Sequence, residues 1–379
     1  MAINRRQFLF AAGAFGASFS TGSVLGADAP LELRVAVRSP WMANQVALTS
    51  DGVLFLGLPR YASDNPTPSI ARRAVDGTLL PFPGNAWNDW RPGNDGRDAF
   101  VYLNSVHIFS DDTVWCVDQG TLSPGIFPGV NASLHPDAQK LVQLDARTGA
   151  VLQVLRFDRD VLPPGAQMND LRFHGQMLYI SDSGLGGIIV RNMSTGTTTR
   201  RLSGNAVVMA STTAKIPAVL AHVKGGKTFT PPNSDLIEIT ADGKWLYWAA
   251  PTGPLYRVET RYLNDMSLSD DELAQHVEHV FDNAFAGGCA MDSRGNVYFS
   301  ETVTNHITVV APSGRTETLV ADPRLIRPDG TFISHDRVLY IPVKQPSVSG
   351  AGDSPYVTYS IALPRMLGDI ELGDAVSGA

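Results

Sequence analysis

The stretch that decides the fold is Asn169-Asp170-Leu171-Arg172-Phe173, followed after a short turn by Met177-Leu178-Tyr179-Ile180. Polar residues open it, apolar and polar residues then alternate, and a continuous apolar run follows the turn. Alternation is typical of a β-strand with one buried face, and a short apolar run is typical of a strand buried on both faces. This phrase therefore predicts two adjacent antiparallel strands.

The same phrase recurs five more times. Its other copies open at Asn44, Asn104, Asp235, Gly287 and Asp329. After most copies come two further strand-like runs, such as 140–144 and 151–157. Six units of about four strands predict an all-β protein, a six-bladed β-propeller of four-stranded antiparallel blades around a channel. The alternative, a two-sheet sandwich, does not explain six copies in one phase.

The sixth unit lacks one strand before the chain ends. The run Leu31–Val37, ahead of the first copy, is the segment that can supply this strand and close the ring. Closure removes exposed sheet edges. We therefore expect residues 27–379 to form a single propeller domain.

The N-terminus reads as an export signal. Asn4-Arg5-Arg6-Gln7-Phe8-Leu9 precedes a short apolar run that reaches Phe19. Paired arginines before such a run indicate the twin-arginine route, and the run is too short to span a membrane. We expect cleavage after about residue 26 and a periplasmic or secreted protein, with the twin-arginine translocation machinery as its partner during export. A retained membrane anchor is the alternative.

The net charge of the chain indicates which classes of molecule it can bind. Loss of Arg5 and Arg6 with the signal takes the formal charge from −7 to −9. An acidic chain is a poor binder of nucleic acid and of anionic membranes, so we expect a small-molecule substrate or ligand, with no nucleic acid and no membrane after cleavage. Cys116 and Cys289 lie in apolar runs and are interpreted as buried packing residues. No nucleotide, flavin or haem is expected.

The first residues of the six copies are the main candidate site. Equivalent positions in a propeller form a ring around the channel, and five of these six carry side-chain oxygens: Asn44, Asn104, Asn169, Asp235 and Asp329, with Gly287 as the exception. Amide and carboxylate oxygens suit Ca²⁺ or Mg²⁺. A structural alternative is that Asn and Asp only hydrogen-bond nearby backbone at strand starts.

Charged residues also follow the second strand of most copies. Because that strand returns antiparallel to the first, we expect its end to reach the same face of the ring. The residues in question are Arg60, Asp118, Asp182, Glu301 and Lys344. Crowded carboxylates and a lysine can have the perturbed pKa values that acid and base catalysis requires. Salt bridges between blades are the alternative role.

Several motifs resemble the major royal jelly/Yellow protein family, in its bacterial, L-dopachrome tautomerase-related branch. They are Leu58-Pro59-Arg60-Tyr61, Val114–Gly120, Met168–Leu171 with Ile180–Gly184, Trp245–Trp248, and Gly287–Cys289 with Ser300-Glu301. The resemblance implies a six-bladed propeller, in agreement with the repeat. It also implies dopachrome conversion, binding of biogenic amines in the channel or a nutritive role.

A more distant resemblance is to gluconolactonase-like propellers. In that group, Glu, Asn, Asn and Asp at the starts of innermost strands hold a divalent cation, usually Ca²⁺. Here the resemblance implies Asn104, Asn169 and Asp235 as metal ligands, whereas Asn44 stands where that group has Glu.

Three functions follow from these candidates. The first is metal-assisted hydrolysis of a lactone or ester, with the cation polarising the carbonyl and Asp235 or Asp329 as base. A metal-free tautomerase or isomerase, with Asp182, Glu301 or Lys344 moving protons on a quinone-like or cyclic substrate, is the second. A non-catalytic binder of small amines is the third.

In all three, we expect further contacts to the bound molecule. The candidates are Asn44, Arg60 and Asp118.

Overall fold

The computed structural model describes residues 31–59, 67–91, 93–120, 136–211, 222–223, 227–228, 230–344 and 355–376. Both the predicted export signal, residues 1–26, and the candidate Arg60 lie outside the described residues. In chain order the strands are β1 (Arg34–Ser39), β2 (Gln45–Leu48), β3 (Leu54–Gly57), β4 (Ile70–Arg73), β5 (Leu79–Pro81), β6 (Leu103–Ile108), β7 (Thr113–Asp118), β8 (Lys140–Asp145), β9 (Val151–Leu155), β10 (Met168–His174), β11 (Met177–Asp182), β12 (Gly187–Asn192), β13 (Thr198–Arg201), β14 (His222–Val223), β15 (Lys227–Thr228), β16 (Leu236–Ile239), β17 (Trp245–Ala249), β18 (Leu255–Glu259), β19 (Glu278–Phe281), β20 (Ala286–Met291), β21 (Val297–Glu301), β22 (His306–Val310), β23 (Thr316–Ala321), β24 (Phe332–Ile333), β25 (Val338–Pro342), β26 (Tyr356–Ala362), β27 (Met366–Leu367) and β28 (Ile370–Glu371).

Six four-stranded antiparallel sheets form the blades. From the innermost strand outward they are β2-β3-β4-β5, β6-β7-β8-β9, β10-β11-β12-β13, β16-β17-β18-β19, β20-β21-β22-β23 and β24-β25-β26-β1, numbered here blades 1 to 6. The innermost strands of consecutive blades adjoin each other, and β24 of blade 6 adjoins β2 of blade 1. The predicted all-β, six-bladed propeller is therefore confirmed.

The N-terminal strand closes the ring, as predicted. Strand β1 pairs antiparallel with β26 as the outermost strand of blade 6, with Arg34 opposite Ser360 and Ser39 opposite Tyr356. On the inner side, the Gly330 backbone N–H donates to the Asn44 carbonyl at 2.8 Å. The first and last blades are thus joined at the centre, while the two ends of the domain share one blade.

Apolar residues of the repeated phrase pack between neighbouring blades. Leu171, Leu178 and Ile180 of blade 3 share one buried cluster with Trp115 and Val117 of blade 2. Burying each such side chain is worth about 1.5–3 kcal/mol, so the phrase stabilises each blade interface as well as each strand. Cys116 and Cys289 are buried free thiols, as predicted.

Helices are few and short. A capping box begins helix α2 (Asp270–Ala274), where the Ser269 side chain accepts from the Glu272 N–H and the Glu272 carboxylate accepts from the Ser269 N–H. Helix α1 (Thr260–Asn264) precedes it without a capping side chain. Single 3₁₀ turns lie at Ala86–Asn88, Pro136–Ala138 and Ala206–Val208. Across the part of the chain that the structure describes, no helix has the length and apolarity needed to cross a membrane.

Candidate functional site

All six ring residues predicted from the repeat meet at the mouth of the central channel. One cavity of about 80 Å³, which is open to solvent, is lined by Asn44, Asn104, Asn169, Asp235, Gly287 and Asp329. Each residue lies within three residues of the start of its innermost strand, so the phase of the repeat places them at one height. These six residues form the ring, and the space inside it is the ring cavity.

Glycine occupies the fifth position of the ring because blade 6 approaches too closely for a side chain. A Cβ on Gly287 would lie 2.4 Å from the Pro328 carbonyl oxygen, and one on Gly288 would lie 2.6 Å from the Gly330 backbone. Both distances are shorter than real contacts allow. The exception in the repeat therefore has a steric cause.

The ring asparagines bridge consecutive blades. The Asn44 Nδ2 donates to the Asn104 carbonyl at 2.7 Å, and the Asn104 Nδ2 donates to the Asn169 carbonyl at 3.0 Å. A side-chain hydrogen bond joins Asn169 to Asp235. These contacts give the asparagines the backbone-bonding role of the structural alternative, although the backbone belongs to the next blade. The buried Asn44 Oδ1 finds no hydrogen-bond partner among the described residues.

Besides Asp170, which is paired with Arg172, two aspartates and one lysine supply the titratable groups of the ring cavity. Lys344 lines it and forms an ion pair with the Asp329 Oδ2. Burial raises the pKa of Asp235 to about 8, with a further contribution from the neighbouring Asp329, while Lys344 opposes the shift. Burial also raises the pKa of Asp329, and the Lys344 ammonium again opposes it. Asp235 therefore keeps its proton at neutral pH, whereas its contact with Lys344 favours the ionised form of Asp329.

The expected convergence of the second-strand ends holds for Lys344 but not for three other candidates. Asp118 forms a fully buried ion pair with Lys140 at 2.7 Å, and Asp182 forms one with Arg200 at 2.5 Å. Glu301 accepts from the hydroxyls of Thr304 and Thr308 and does not line the ring cavity.

Strand register explains this difference. Asp118, Asp182 and Glu301 each lie opposite the residue just before a ring position: Leu103, Met168 and Ala286. In blade 6 the residue opposite Pro328, just before Asp329, is Val343 and not Lys344. Side chains alternate along a strand, so the shift of one residue turns Lys344 towards the ring and leaves the other three turned away.

Sequence reasoning missed an ion triad below the ring cavity. The Arg172 guanidinium donates to both oxygens of Glu238, at 2.7 and 2.9 Å, and to the Asp170 Oδ2 at 2.8 Å. Burial opposes the charged form of Arg172, but the two carboxylates outweigh it and raise its pKa. Charged residues inside strands that otherwise look buried were the available signal.

The triad lies between the ring cavity and a second cavity further along the channel. The second cavity is lined by His107, Phe109, Thr331 and Phe332, among others. Burial, with the nearby Arg172, lowers the pKa of His107 well below its usual value. Burial therefore favours a neutral His107, and the positive charge of Arg172 is paired with Asp170 and Glu238.

The ring was also compared with what a divalent cation requires. No three His, Cys, Asp or Glu side chains within the described ranges lie close enough together to hold a metal ion. The Asp329 carboxylate is paired with Lys344, whose ammonium would lie beside any ion bound by Asp235. With Lys344 in this position, the residues present do not fit a divalent cation.

Comparisons with known proteins agree with this architecture. Similar solved structures include a luciferin-regenerating enzyme (9% identity, TM-score 0.54, 92% of this chain and 99% of that one) and a gluconolactonase from Xanthomonas campestris (12%, 0.54, 88% and 90%). The calcium-binding protein regucalcin from Agrobacterium tumefaciens is also similar (15%, 0.52, 92% and 98%). At these identities they share the fold alone. No curated protein matches the sequence. The family model described as major royal jelly protein matches residues 105–326, and the chain therefore belongs to the major royal jelly protein family.

Proposed function

We propose that this protein is an enzyme that hydrolyses a lactone or a related ester of a small polar molecule in the ring cavity. The observation that carries the proposal is that two aspartates in different surroundings, only one of them ion-paired with Lys344, face one solvent-accessible cavity. Asp235 is protonated at neutral pH, and Asp329 is paired with Lys344. Pairs of titratable groups whose environments separate their proton affinities are typical of acid–base catalysis.

The two groups can divide the work of ester hydrolysis. The Asp329 carboxylate takes a proton from a water molecule as that water attacks the carbonyl carbon. Asp235 gives its proton to the leaving alkoxide oxygen as the C–O bond breaks. The products are a hydroxyl and a carboxylic acid, and both aspartates recover their starting states by exchanging protons with solvent.

The lining of the cavity favours a hydroxylated substrate. Besides the ring, it presents Gln45, Ser105 and Asp170, while Leu236 and Ile237 are among its few apolar members. The unpartnered Asn44 Oδ1 offers a buried acceptor to a substrate hydroxyl. Such groups bind polyols better than hydrocarbon rings, because each buried polar atom otherwise stays without a hydrogen bond.

A divalent cation held by Asn104, Asn169 and Asp235 is the alternative way to activate the carbonyl. The likeness to a calcium-binding protein and to a gluconolactonase supports it, at the level of the fold. The ammonium of Lys344 beside the same carboxylates argues against it. We therefore assign the proton transfers to Asp235 and Asp329 and route no step through a metal.

Metal-free isomerisation of a cyclic or quinone-like substrate is the second candidate function. It is favoured by the same acid and base and by family membership. Non-catalytic amine binding is less well supported, because a protonated Asp235 and a neutralised Asp329 leave little negative charge to attract an ammonium ion.

The test is hydrolysis of a panel of hydroxylated five- and six-membered lactones and aryl esters by Asp235→Asn. We expect the rate above spontaneous hydrolysis to fall about 100-fold or more, because a general acid typically contributes that much. The wild-type rate should decline as pH rises through about 8, where Asp235 loses its proton.

The matched control is Asp369→Asn, which removes an exposed surface carboxylate paired with Arg315. Full activity in Asp235→Asn, or no wild-type turnover of any lactone or ester, contradicts the proposal. If the wild type turns over no lactone or ester but does turn over a cyclic hydroxyketone or quinone, the protein is an isomerase instead.

A further inference from the structure

The position of Lys344 in the ring cavity is fixed by backbone contacts on both sides. Its N–H donates to the Arg327 carbonyl at 3.0 Å, and the preceding Val343 N–H donates to the Val357 carbonyl at 3.2 Å. The partner carboxylate is fixed too, because the Asp329 N–H donates to the Pro342 carbonyl at 3.1 Å. The ion pair is therefore built into blade 6.

The ammonium of Lys344 is partly open to solvent, while its partner is buried. The Lys344 side chain is 24% exposed and that of Asp329 is 9% exposed. Lys344 thus presents charge to whatever enters the cavity. Among the described residues that line the ring cavity, it is the only cationic side chain, and its charge is also felt at Asp235.

Charge balance in the ring depends on this one side chain. Three aspartates, Asp170, Asp235 and Asp329, stand in a cavity with several amide groups, and these oxygens would attract a cation if nothing else neutralised them. A divalent ion beside these carboxylates would also lie beside the Lys344 ammonium, and like charges in a partly desolvated cavity repel strongly.

We propose that Lys344 is the resident cation of the ring cavity: its ammonium supplies the positive charge that polarises the substrate carbonyl and it excludes divalent cations from the ring. The catalytic half of this statement rests on the proposed hydrolysis. The exclusion of metal rests on the geometry alone. A lysine ammonium is a compact charge, so it can act electrostatically on a substrate oxygen in the cavity while it stays paired with Asp329.

Metal binding by wild type and by Lys344→Met tests the exclusion. We expect neither EDTA nor Ca²⁺ to change the Tm of the wild type. In Lys344→Met, where the chain keeps its length and loses its charge, Ca²⁺ should raise the Tm by about 3 °C or more at about a hundredfold excess over its dissociation constant. Isothermal titration with Ca²⁺ should give one site in the variant and none in the wild type.

Three controls make the result specific. Lys244→Met removes an exposed lysine from a turn and should leave the protein insensitive to Ca²⁺. Lys344→Arg keeps the charge and should also stay insensitive. The double variant Lys344→Met with Asp235→Asn should lose the acquired site, because it lacks one of the carboxylates.

The proposal would be overturned if the wild type bound Ca²⁺ stoichiometrically and Asp235→Asn abolished that binding. A folded Lys344→Met that binds no Ca²⁺ would also overturn it, because Lys344 would then not be what keeps the ion out. If Lys344→Met does not fold, the wild-type titration still decides between a metal site and a metal-free ring. These binding results do not depend on turnover, so a failure of the hydrolase proposal is recognised separately, by the lactone and ester panel.

Discussion

The molecule contains two lysine–aspartate pairs that look alike in sequence and differ in almost everything else. Lys140 and Asp118 are both 0% exposed. Four protein oxygens lie 2.7–2.9 Å from the Lys140 Nζ: the Asp118 Oδ2 and the carbonyl oxygens of Gly96, Ala99 and Ala138. Asp118 in turn accepts from the N–H groups of Val101, Tyr102 and Gly120. This pair is closed to any ligand.

The pair between Lys344 and Asp329 faces the ring cavity instead. Its lysine side chain is partly exposed, and a third titratable group, Asp235, stands close enough for Lys344 and Asp329 to affect its pKa. A closed pair has all its hydrogen bonds satisfied by the fold and can only hold strands together. An open pair has capacity left for a substrate. Residue type does not distinguish the two; the surroundings of the ammonium do.

Replacing the lysine should reduce the stability of the protein far more in the buried pair than in the pair at the ring cavity. Lys140→Met leaves the Asp118 carboxylate buried without its counter-ion, and breaking a buried pair in this way costs about 3–5 kcal/mol. Lys344→Met leaves Asp329 beside a water-accessible cavity, where it can take up a proton, so we expect a loss within about 1 kcal/mol. Urea unfolding of both variants measures the difference. Equal losses would show that the ring pair is as structural as the buried one.

Asp235 gives a second contrast, because we expect its substitution to raise the stability of the protein and not to lower it. Its folded-state pKa of about 8 lies above the ordinary aspartate pKa of 3.8, so the folded state holds a proton that the unfolded chain releases. That stabilising contribution is complete below about pH 4 and is lost as pH rises towards 8. Asp235→Asn should remove this loss and raise the unfolding free energy at pH 7 by up to about 4 kcal/mol.

The measurement is the unfolding free energy from pH 4 to pH 9. The wild type should lose stability with rising pH over this window, and Asp235→Asn should show a flatter curve. A variant that gains stability while losing activity identifies a group kept for function at a cost to the fold. If the variant is less stable than wild type at pH 7, Asp235 is a structural residue and the acid assignment fails.

The sequence was sufficient for the fold and for the ring. Apolar residues in one phase specify the strands, and the polar residue that opens each copy specifies the height at which Asn44, Asn104, Asn169, Asp235 and Asp329 meet. Even the interruption at Gly287 fits the pattern once the close approach of blade 6 is known. Periodicity carries this information because the propeller repeats it in space.

The second-strand ends could not be predicted in the same way. Their orientation depends on register at the end of a strand, where a bulge or one extra residue reverses the side chain. Irregular register occurs near the starts of β6, β10 and β20. Their partners are also distant: Asp118 pairs with Lys140 and Asp182 with Arg200. Nothing in one strand's sequence reveals that another strand of the same blade supplies the counter-ion.

The smallest expected effect concerns Glu301, which stands at the same register position as Asp118 and Asp182 but has no cationic partner within 4 Å among the described residues. Its two oxygens accept from the hydroxyls of Thr304 and Thr308. Glu301→Gln keeps one carbonyl oxygen as an acceptor, so the loss of stability should be within about 0.5 kcal/mol.

Activity is the informative readout for this variant, since Glu301, unlike the other second-strand candidates that the structure describes, is neither in the ring cavity nor closed by an ion pair. Lactone hydrolysis by Glu301→Gln should stay within about twofold of the wild type, because a side chain that does not line the cavity cannot exchange a proton with its contents. A drop as large as that of Asp235→Asn would mean that the substrate extends beyond the ring to the end of β21. Catalysis would then use a carboxylate at the end of a strand. The difference between open and closed ion pairs would still predict stability, but it would not predict which residues take part in catalysis.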